Sequence, residues 1–346
     1  MRVLVTGGSG YIGSHACALL LERGHEVTSV DAMLPGRASP HAAATLGALA
    51  GDSGRFRAFV ADVNDRAALD HAFSRAKPDA VMHFAGVAYV GESVRDPLLY
   101  HRTNTGGTES VLRACAAHGA TRLVFSSSCV TYGDPGAAAL PVTESCPQRP
   151  VNPYGWSKLH AERVVADYAE SPGARSAGFG AAVLRYFNVA GCERRGRLGH
   201  SHDPETRVIP LAIRAALGID ASFTVFGTDY PGPGSPDGTA VRDYVHVEDL
   251  VGAHALVLEA LRPGDRRVYN LGTGRGTSVR RIIESVERVT GRRVPVVEGA
   301  RREGDPASLF CSPGAIERDL GWRARVTDLD EIVASSAAWM KKTLGV

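Results

Sequence analysis

A glycine-rich turn between an apolar strand and an apolar helix constrains the fold of this chain more than any other feature of its sequence. The run RVLVT over residues 2–6 predicts a buried strand, and GGSGYIG over residues 7–13 follows it at once. Apolar residues at helical spacing continue to Arg23-Gly24, and a second predicted strand, Glu26–Val30, ends at Asp31. This order of strand, glycine turn, helix, strand and acid predicts a dinucleotide-binding βαβ unit.

Each glycine of this turn has its own expected purpose. Gly7 would permit the tight turn, Gly10 would let a pyrophosphate approach the backbone, and Gly13 would let the helix pack on the strand. The N–H groups at the start of the helix favour phosphates. Asp31 would accept hydrogen bonds from the adenosine ribose hydroxyls and repel a 2′-phosphate, which favours NAD over NADP, although the nearby Arg37 could favour NADP.

A tyrosine and a lysine stand four residues apart in the run NPYGWSK over residues 152–158, so both side chains lie on one face of a predicted helix. A tyrosine has a pKa near ~10, and a nearby ammonium group favours the phenolate. We therefore expect Lys158 to lower the pKa of Tyr154, which makes the pair a candidate base toward an alcohol. The alternative is a surface pair on an amphipathic helix, but the chain has only four lysines among 39 basic residues, so this one stands out.

A cluster of hydroxyl side chains follows a third apolar run. The stretch LVFSSSCVTYG over residues 123–133 predicts a strand that ends in serines, at the edge where open parallel sheets bind ligands. Ser128 could hydrogen-bond the oxygen on which Tyr154 acts. By itself the motif would fit a serine-rich turn that caps the strand.

Composition excludes several classes of partner. The net charge is +2 without a basic run, which argues against nucleic acid and anionic membrane surfaces. Six cysteines show no CxxC or metal-ligand spacing, so we predict buried thiols in a reducing compartment and no metal. No apolar stretch reaches ~18 residues, and the chain starts directly on a strand, so we expect a soluble cytoplasmic protein.

Strand and helix patterns alternate through the first half, which predicts an α/β fold with a doubly wound parallel Rossmann sheet and a smaller C-terminal α/β lobe for the substrate. We place the NAD-binding domain at 1–188, with 241–271 returning to it and Val241–Val247 joining the main sheet. The substrate lobe covers 189–346. Polar or small residues at strand ends, and Asn104 within a helix, extend the expected cofactor site. The candidate cofactor residues are Gly7, Gly10, Tyr11, Ile12, Gly13, Asp31, Asp62, Val63, Phe84, Ala85, Gly86, Asn104, Ser126, Tyr154, Lys158 and Tyr186.

The ordered motifs TGGSGYIGSH, HFAG, SSSCVTYG, NPYGWSK, RYFNVAG, VRDYVHVEDL, YNLGTG and RREGDP resemble those of the UDP-glucose 4-epimerases, in the extended short-chain dehydrogenase/reductase family. The resemblance runs from Met1 to about Trp339. It implies a tightly bound NAD and inversion at C4 of a UDP-sugar through a transient 4-keto intermediate. Tyr154 would be the base, Lys158 would lower its pKa, and Ser128 would orient the 4-oxygen. It also implies a homodimer through helices near 97–118 and 153–171.

The resemblance also implies a grip on the nucleotide. Asn188, Arg242 and Arg302 would contact the diphosphate, Asp305 the uridine ribose, and Phe226 the uracil. Without the motifs, the two arginines would be interpreted as surface ion-pair partners. The candidate substrate residues are Ser128, Tyr154, Asn188, Arg207, Val208, Phe226, Arg242, Tyr244, Arg302 and Asp305.

Departures from the family pattern bear on the reaction and the sugar. Cys129 and Val130 stand where 4,6-dehydratases carry Asp-Glu, which argues against a dehydratase. Ala88, Arg207 and Leu309 depart from the best-known galactose epimerases, and HFAGVAYVGES also resembles UDP-xylose/UDP-arabinose 4-epimerases. We expect UDP-galactose/UDP-glucose first, UDP-pentoses second and UDP-N-acetylhexosamines third. A net NAD-linked oxidoreductase and a dinucleotide-sensing module without catalysis are the alternatives.

Overall fold

A seven-stranded sheet forms the centre of the N-terminal part of the chain. The computed structural model describes residues 1–230, 235–302 and 305–345. Strands, numbered in chain order, are β1 Arg2–Thr6, β2 Glu26–Asp31, β3 Phe56–Val60, β4 Ala80–His83, β5 Arg122–Ser128, β6 Gly180–Tyr186, β7 Asn188–Ala190, β8 Phe223–Phe226, β9 Val241–Arg242, β10 Tyr244–His246, β11 Arg266–Leu271, β12 Thr277–Ser278, β13 Val296–Gly299 and β14 Ser308–Leu309. The sheet order is β11-β6-β5-β4-β1-β2-β3, and the pairs from β5 to β3 are parallel. The predicted doubly wound sheet is confirmed, with its order reversing between β1 and β4.

The helices are α1 Tyr11–Glu22, α2 Ala42–Ala50, α3 Arg66–Ala76, α4 Val90–Arg95, α5 Pro97–Tyr100, α6 Gly107–His118, α7 Pro153–Glu170, α8 Pro172–Ser176, α9 Val208–Ala216, α10 Val247–Ala260, α11 Val279–Thr290, α12 Gly314–Leu320 and α13 Leu329–Leu344. A π-helical turn over His101–Gly106 separates α5 from α6, in what the sequence predicts as one continuous helix. The helix starts follow local chemistry: Asp65 caps α3, and Asn152 followed by Pro153 starts α7.

Contacts divide the chain into two compact units. The first comprises Met1–Thr131, Pro150–Arg185 and Val251–Tyr269, and the second comprises Tyr132–Arg149, Tyr186–Leu250 and the chain from Asn270 onward. The chain thus leaves the first unit close to the predicted boundary at residue 188 and returns within the predicted stretch 241–271. That Tyr132–Arg149 makes its contacts in the second unit was not indicated by the sequence.

The core of the first unit lies between the sheet and three helices. Phe73 of α3, Val111 of α6 and Val165 of α7 are buried in one apolar cluster with Leu4 and Leu123 of the sheet. Four of the five residues of β1 are buried, as expected of a central parallel strand that is covered on both faces.

The described part of the second unit contains three small sheets and a helical cluster. Strand β7 pairs with β10, β9 lies between β12 and β14, and β8 pairs with β13. The expectation that Val241–Val247 joins the main sheet is wrong, because β9 and β10 pair within these small sheets and β11 joins the main sheet instead. Ile213 of α9, Val286 of α11 and Val333 of α13 share its core.

Within the described ranges, no helix combines the length and apolar character needed to cross a membrane. The same residues contain no cluster of three or more His, Cys, Asp or Glu side chains that could hold a metal ion.

The closest packing in the glycine turn makes a prediction about stability. A Cβ at Gly13 would lie 2.0 Å from the Gly7 carbonyl oxygen, whereas a Cβ at Gly47 in α2 would have no atom within 4 Å. We expect Gly13→Ala to lower the free energy of unfolding by on the order of 3 kcal/mol. Gly47→Ala is the matched control and should gain about 0.5–1 kcal/mol. Urea unfolding measures both, and equal stability of the two variants would contradict this packing.

Candidate active site

Three side chains that are distant in sequence meet at the carboxyl end of β5. Ser128 is the last residue of that strand, and Tyr154 and Lys158 lie in the first turns of α7. All three are buried, with 5–8% of each residue exposed. The Ser128 hydroxyl hydrogen-bonds to Tyr154, and the Lys158 ammonium donates to the Ser126 carbonyl oxygen at 2.9 Å. The structure therefore brings the predicted base, lysine and serine into one buried cluster.

Burial controls the charge of this cluster. Loss of solvent raises the pKa of Tyr154 to about 12, the hydrogen bond from Ser128 opposes that shift, and Cys129 adds to it. Desolvation therefore sets the net direction of the Tyr154 pKa, which is raised and not lowered. That Lys158 lowers this pKa stays a prediction. Burial also lowers the pKa of Lys158 to about 8, against the opposing charge of Glu162.

A buried ion pair ties α7 to the sheet. Glu162 lies one turn after Lys158, and the Arg185 guanidinium of β6 donates to its carboxylate at 2.6 Å. The Ser127 hydroxyl, next to Ser128, donates to the same carboxylate. Side-chain exposure is 8% for Glu162 and 7% for Arg185. The helix that carries Tyr154 and Lys158 is thus fixed to the strand that carries Ser128.

The side-chain amide of Asn104, in the π-helical turn, forms hydrogen bonds within the protein. Its Oδ1 accepts from the Val87 amide at 2.9 Å, and its Nδ2 donates to the Val87 carbonyl and to the Ser157 hydroxyl. A Cβ at Gly86 would lie 2.7 Å from this Oδ1 and 3.4 Å from the Lys158 amine. The predicted cofactor residue Asn104 therefore holds the loop after β4 against α7, next to Lys158.

The glycine turn has the geometry that its sequence predicts. Gly7 adopts a left-handed φ of 70°, and a Cβ there would lie 2.7 Å from the Ala85 amide nitrogen. No described side chain caps the start of α1 at Gly10. The Asp31 carboxylate at the end of β2 accepts from the Ser9 amide at 2.9 Å and from the Met33 amide at 2.8 Å.

Other cofactor candidates have different surroundings. The Val63 side chain is buried in the core beside Gly107, and the Asp62 carboxylate accepts from Asn64 at 2.8 Å. The Phe84 ring packs on His254 with ring centroids 4.8 Å apart. Tyr186 ends β6 and is half-buried.

Most of the residues predicted to contact the UDP part of the substrate lie in the second unit. Arg242 of β9 forms an ion pair with Asp305. The Arg302 guanidinium lies 3.9 Å from the centroid of the Phe226 ring. Glu303 and Gly304 of the same motif lie outside the described residues.

The remaining substrate candidates lie in the same unit. Asn188 and Tyr244 are register partners in the pair β7–β10. Arg207 precedes Val208, the first residue of α9, and its guanidinium donates to the Glu205 carboxylate at 2.6 Å. The charge of Arg207 is therefore already paired within the protein.

The comparisons with known proteins decide the family. The model of the NAD dependent epimerase/dehydratase family matches residues 3–272. The chain belongs to this family. A probable UDP-arabinose 4-epimerase 1 of Oryza sativa subsp. japonica is 43% identical over 99% of this chain and 80% of its own length. A UDP-glucose 4-epimerase of Rhizobium leguminosarum bv. trifolii is 42% identical over 99% of this chain and 98% of its own.

A solved structure is similar over the whole length. It is the UDP-glucose-4-epimerase of Stenotrophomonas maltophila, with bound NAD and formylated UDP-arabinopyranose. Its TM-score is 0.90 and its identity 37%, with 100% of this chain and 99% of that chain covered.

Sequence reasoning missed two charged residues that the structure places beside the site. Glu162 could have been found, because it follows Lys158 by four residues on the same helical face. Glu92 pairs with Arg37, 55 residues earlier in the chain, and local sequence gives no signal for that contact.

The buried ion pair gives a second prediction about stability. Arg185→Met would leave the Glu162 carboxylate buried without its guanidinium, and we expect a loss of ~3–5 kcal/mol in the free energy of unfolding. The double variant Glu162→Leu/Arg185→Met should recover most of that loss, since no unpaired charge remains.

Arg266→Met is the matched control, because it breaks the exposed pair with Glu170 and should cost ~0–1 kcal/mol. Chemical denaturation of the four proteins measures the differences. If the double variant is no more stable than Arg185→Met, the loss comes from packing and not from charge.

Proposed function

We propose that this protein is an NAD-dependent UDP-sugar 4-epimerase, an isomerase that inverts C4 through a transient 4-keto sugar. The observation that carries the proposal is the buried cluster of Ser128, Tyr154 and Lys158 at the carboxyl edge of the sheet. This cluster places a hydroxyl base, a cation and a hydrogen-bond partner together. Membership of the epimerase/dehydratase family and the UDP-sugar 4-epimerases among its relatives support it.

The residues around the glycine turn fit NAD. The close approach at Gly7, the uncapped start of α1 and the fixed Asp31 carboxylate suit a pyrophosphate and a ribose diol. We assign the cofactor site to the glycine turn, Asp31, the loop after β4, Tyr154 and Lys158. When bound, oxidised nicotinamide supplies a reversible two-electron acceptor and a positive charge.

The chain's own groups handle the proton. Tyr154 takes the proton from the sugar 4-hydroxyl, and Ser128 orients that oxygen. Because the pKa of Tyr154 is raised to about 12, its phenolate needs nearby positive charge, which Lys158 supplies while it is protonated. The inversion itself needs a hydride to leave C4 and return to its opposite face, which is the chemistry that bound nicotinamide would supply. Tyr154 returns its proton to the 4-oxygen, so it serves as base and then as acid.

The second unit would hold the nucleotide. Arg242 and Arg302 carry guanidinium groups suited to a diphosphate, Asp305 a carboxylate suited to a ribose, and Phe226 a ring suited to a uracil. Asn188, Tyr244, Arg207 and Val208 complete the proposed set. Strong binding of the nucleotide with weak binding of the sugar would let the 4-keto sugar rotate and present its opposite face.

For the sugar we propose UDP-galactose and UDP-glucose first. UDP-arabinose and UDP-xylose are the second candidates, because the relatives named UDP-arabinose 4-epimerase match this chain as well as those named UDP-glucose 4-epimerase. The departures at Ala88, Arg207 and Leu309 are the residues to exchange if the pentose is faster.

We also propose a cytoplasmic homodimer. The six cysteines, all within the described residues, form no disulfide, and five of them are buried, which suits a reducing compartment. Three large apolar residues are exposed on neighbouring helices of the chain: Val94 on α4 (64%), Leu98 on α5 (78%) and Trp156 on α7 (43%). A second copy of the chain would cover them. Light scattering of the purified protein gives the mass that decides between monomer and dimer.

Incubation of the purified protein with UDP-galactose or with UDP-arabinopyranose, without added NAD, tests the activity. We expect NMR of the anomeric protons to show UDP-glucose or UDP-xylose, without net NADH. Tyr154→Phe should lower kcat by ~10²–10⁴-fold, because the proton acceptor is lost. Tyr168→Phe, on the same helix, is the matched control and should keep full activity. Full activity of Tyr154→Phe would refute the mechanism, and stoichiometric NADH would indicate a net oxidoreductase.

The low pKa of Lys158 predicts an alkaline limit of activity. Its pKa is lowered to about 8, so the ammonium group is present below that pH and is lost as the pH rises through it. We expect kcat to fall above pH ~8. Glu162→Gln should shift this fall in kcat to lower pH, because the Glu162 charge raises the pKa of Lys158. Glu170→Gln, at the exposed end of α7, should leave it in place. If the pH at which kcat falls is unchanged in Glu162→Gln, Lys158 is not the group that causes the fall.

A further inference from the structure

An ion pair joins the segment after β2 to the helix after β4. The segment that contains Arg37 follows β2, α4 with Glu92 follows β4, and β2 and β4 flank β1, from which the glycine turn emerges. The Arg37 guanidinium lies 2.5 Å from a Glu92 carboxylate oxygen. Ala38 forms a bridge with Gly10, so the arginine segment is fixed against the turn itself.

Both partners of this pair have further contacts. The Tyr100 hydroxyl donates to the other Glu92 oxygen at 2.7 Å, and the Arg37 guanidinium lies 5.1 Å from the centroid of the Tyr89 ring. Each side chain of the pair is 25% exposed. Although burial alone would raise the pKa of Glu92, hydrogen bonds from Arg37 and Tyr100 lower it. The carboxylate that holds Arg37 is therefore charged at neutral pH.

An arginine near the acid that ends β2 has a known chemical consequence. In dinucleotide-binding folds the acid binds the adenosine ribose hydroxyls, and a nearby arginine accommodates the 2′-phosphate of NADP. Arg37 follows Asp31 by six residues, so the chain carries both groups. A guanidinium binds phosphate well only when its N–H groups are available, and Glu92 competes for them.

We propose that Glu92 is a specificity-determining residue for the cofactor, because it commits the Arg37 guanidinium to a carboxylate and so denies it to a 2′-phosphate. This inference rests on the proposed function, which assigns a dinucleotide to the glycine turn. Two carboxylates then select NAD: Asp31 repels the 2′-phosphate directly, and Glu92 occupies the cation that would attract it.

The test measures bound nucleotide. Purified proteins are incubated with an equimolar mixture of NAD and NADP and desalted, and the nucleotides released on denaturation are quantified by chromatography. Asp31→Asn serves as the background, because it brings NADP into a measurable range. Adding Glu92→Gln should raise the ratio of bound NADP to NAD about tenfold, the effect of one charge-assisted hydrogen bond. Adding Arg37→Ala as well should return the ratio to the background value.

Glu109→Gln in the same background is the control, since Glu109 pairs with Arg113 on the surface of α6 and should leave the ratio unchanged. A ratio unaltered by Glu92→Gln, with nucleotide still bound, would overturn the specificity role while leaving the proposed function intact. A loss of bound NAD without a gain of NADP would also overturn it. That result would indicate that the Arg37–Glu92 pair helps to retain the cofactor, whichever cofactor it is. Wild-type protein that binds neither nucleotide would overturn both this inference and the proposed function.

Discussion

The buried ion pair between Glu162 and Arg185 is the interaction on which the arrangement of the site depends. It fixes α7 to β6, and the Ser127 hydroxyl adds β5 to the same carboxylate. A buried pair of this kind contributes little to net stability compared with apolar packing, because both charges lose their water. Its contribution is to position the helix: Glu162 lies one turn beyond Lys158, and the Ser127 hydroxyl that donates to it is one residue before Ser128. These contacts hold α7 and β5 together where Tyr154, Lys158 and Ser128 meet.

Burial gives this site its chemistry as well as its order. The same loss of solvent raises the pKa of Tyr154 and lowers that of Lys158, so each group is pushed toward its neutral form. In the proposed reaction the phenolate of Tyr154 therefore depends on nearby positive charge, which Lys158 supplies while it is protonated. Asn104 and Gly86 show how closely the neighbouring backbone is packed, since the space for one methyl group is already taken by an amide oxygen.

The arginines of this chain are mostly committed to partners. Arg37 is held by Glu92, Arg207 by Glu205 and Arg242 by Asp305. A ligand with phosphate groups would have to compete for these guanidinium groups or use their unpaired N–H groups. Charge pairing within the protein is therefore a means of selecting among anionic ligands, and it cannot be judged from the count of basic residues.

The sequence alone determined the features that depend on local chemistry. The glycine turn, the strand and helix order, the acid at the end of β2 and the four-residue spacing of Tyr154 and Lys158 are all encoded within short windows. They predicted the parallel sheet and the cluster at its carboxyl edge. The family followed from the order of the motifs. These inferences hold because turn geometry and side-chain periodicity are set by neighbouring residues.

Only the tertiary structure decided the features that depend on distant partners. Spacing suggested that Lys158 lowers the pKa of Tyr154, but burial, which no window of sequence reports, reverses the direction. The stretch 241–247 has the apolar pattern of a sheet strand, yet its partners are β7, β12 and β14, because pairing is chosen by what lies alongside. Glu162 and Arg185 are 23 residues apart, and Arg37 and Glu92 are 55 apart. Such contacts exist only once the chain has packed, because desolvation and charge pairing are properties of the assembled interior.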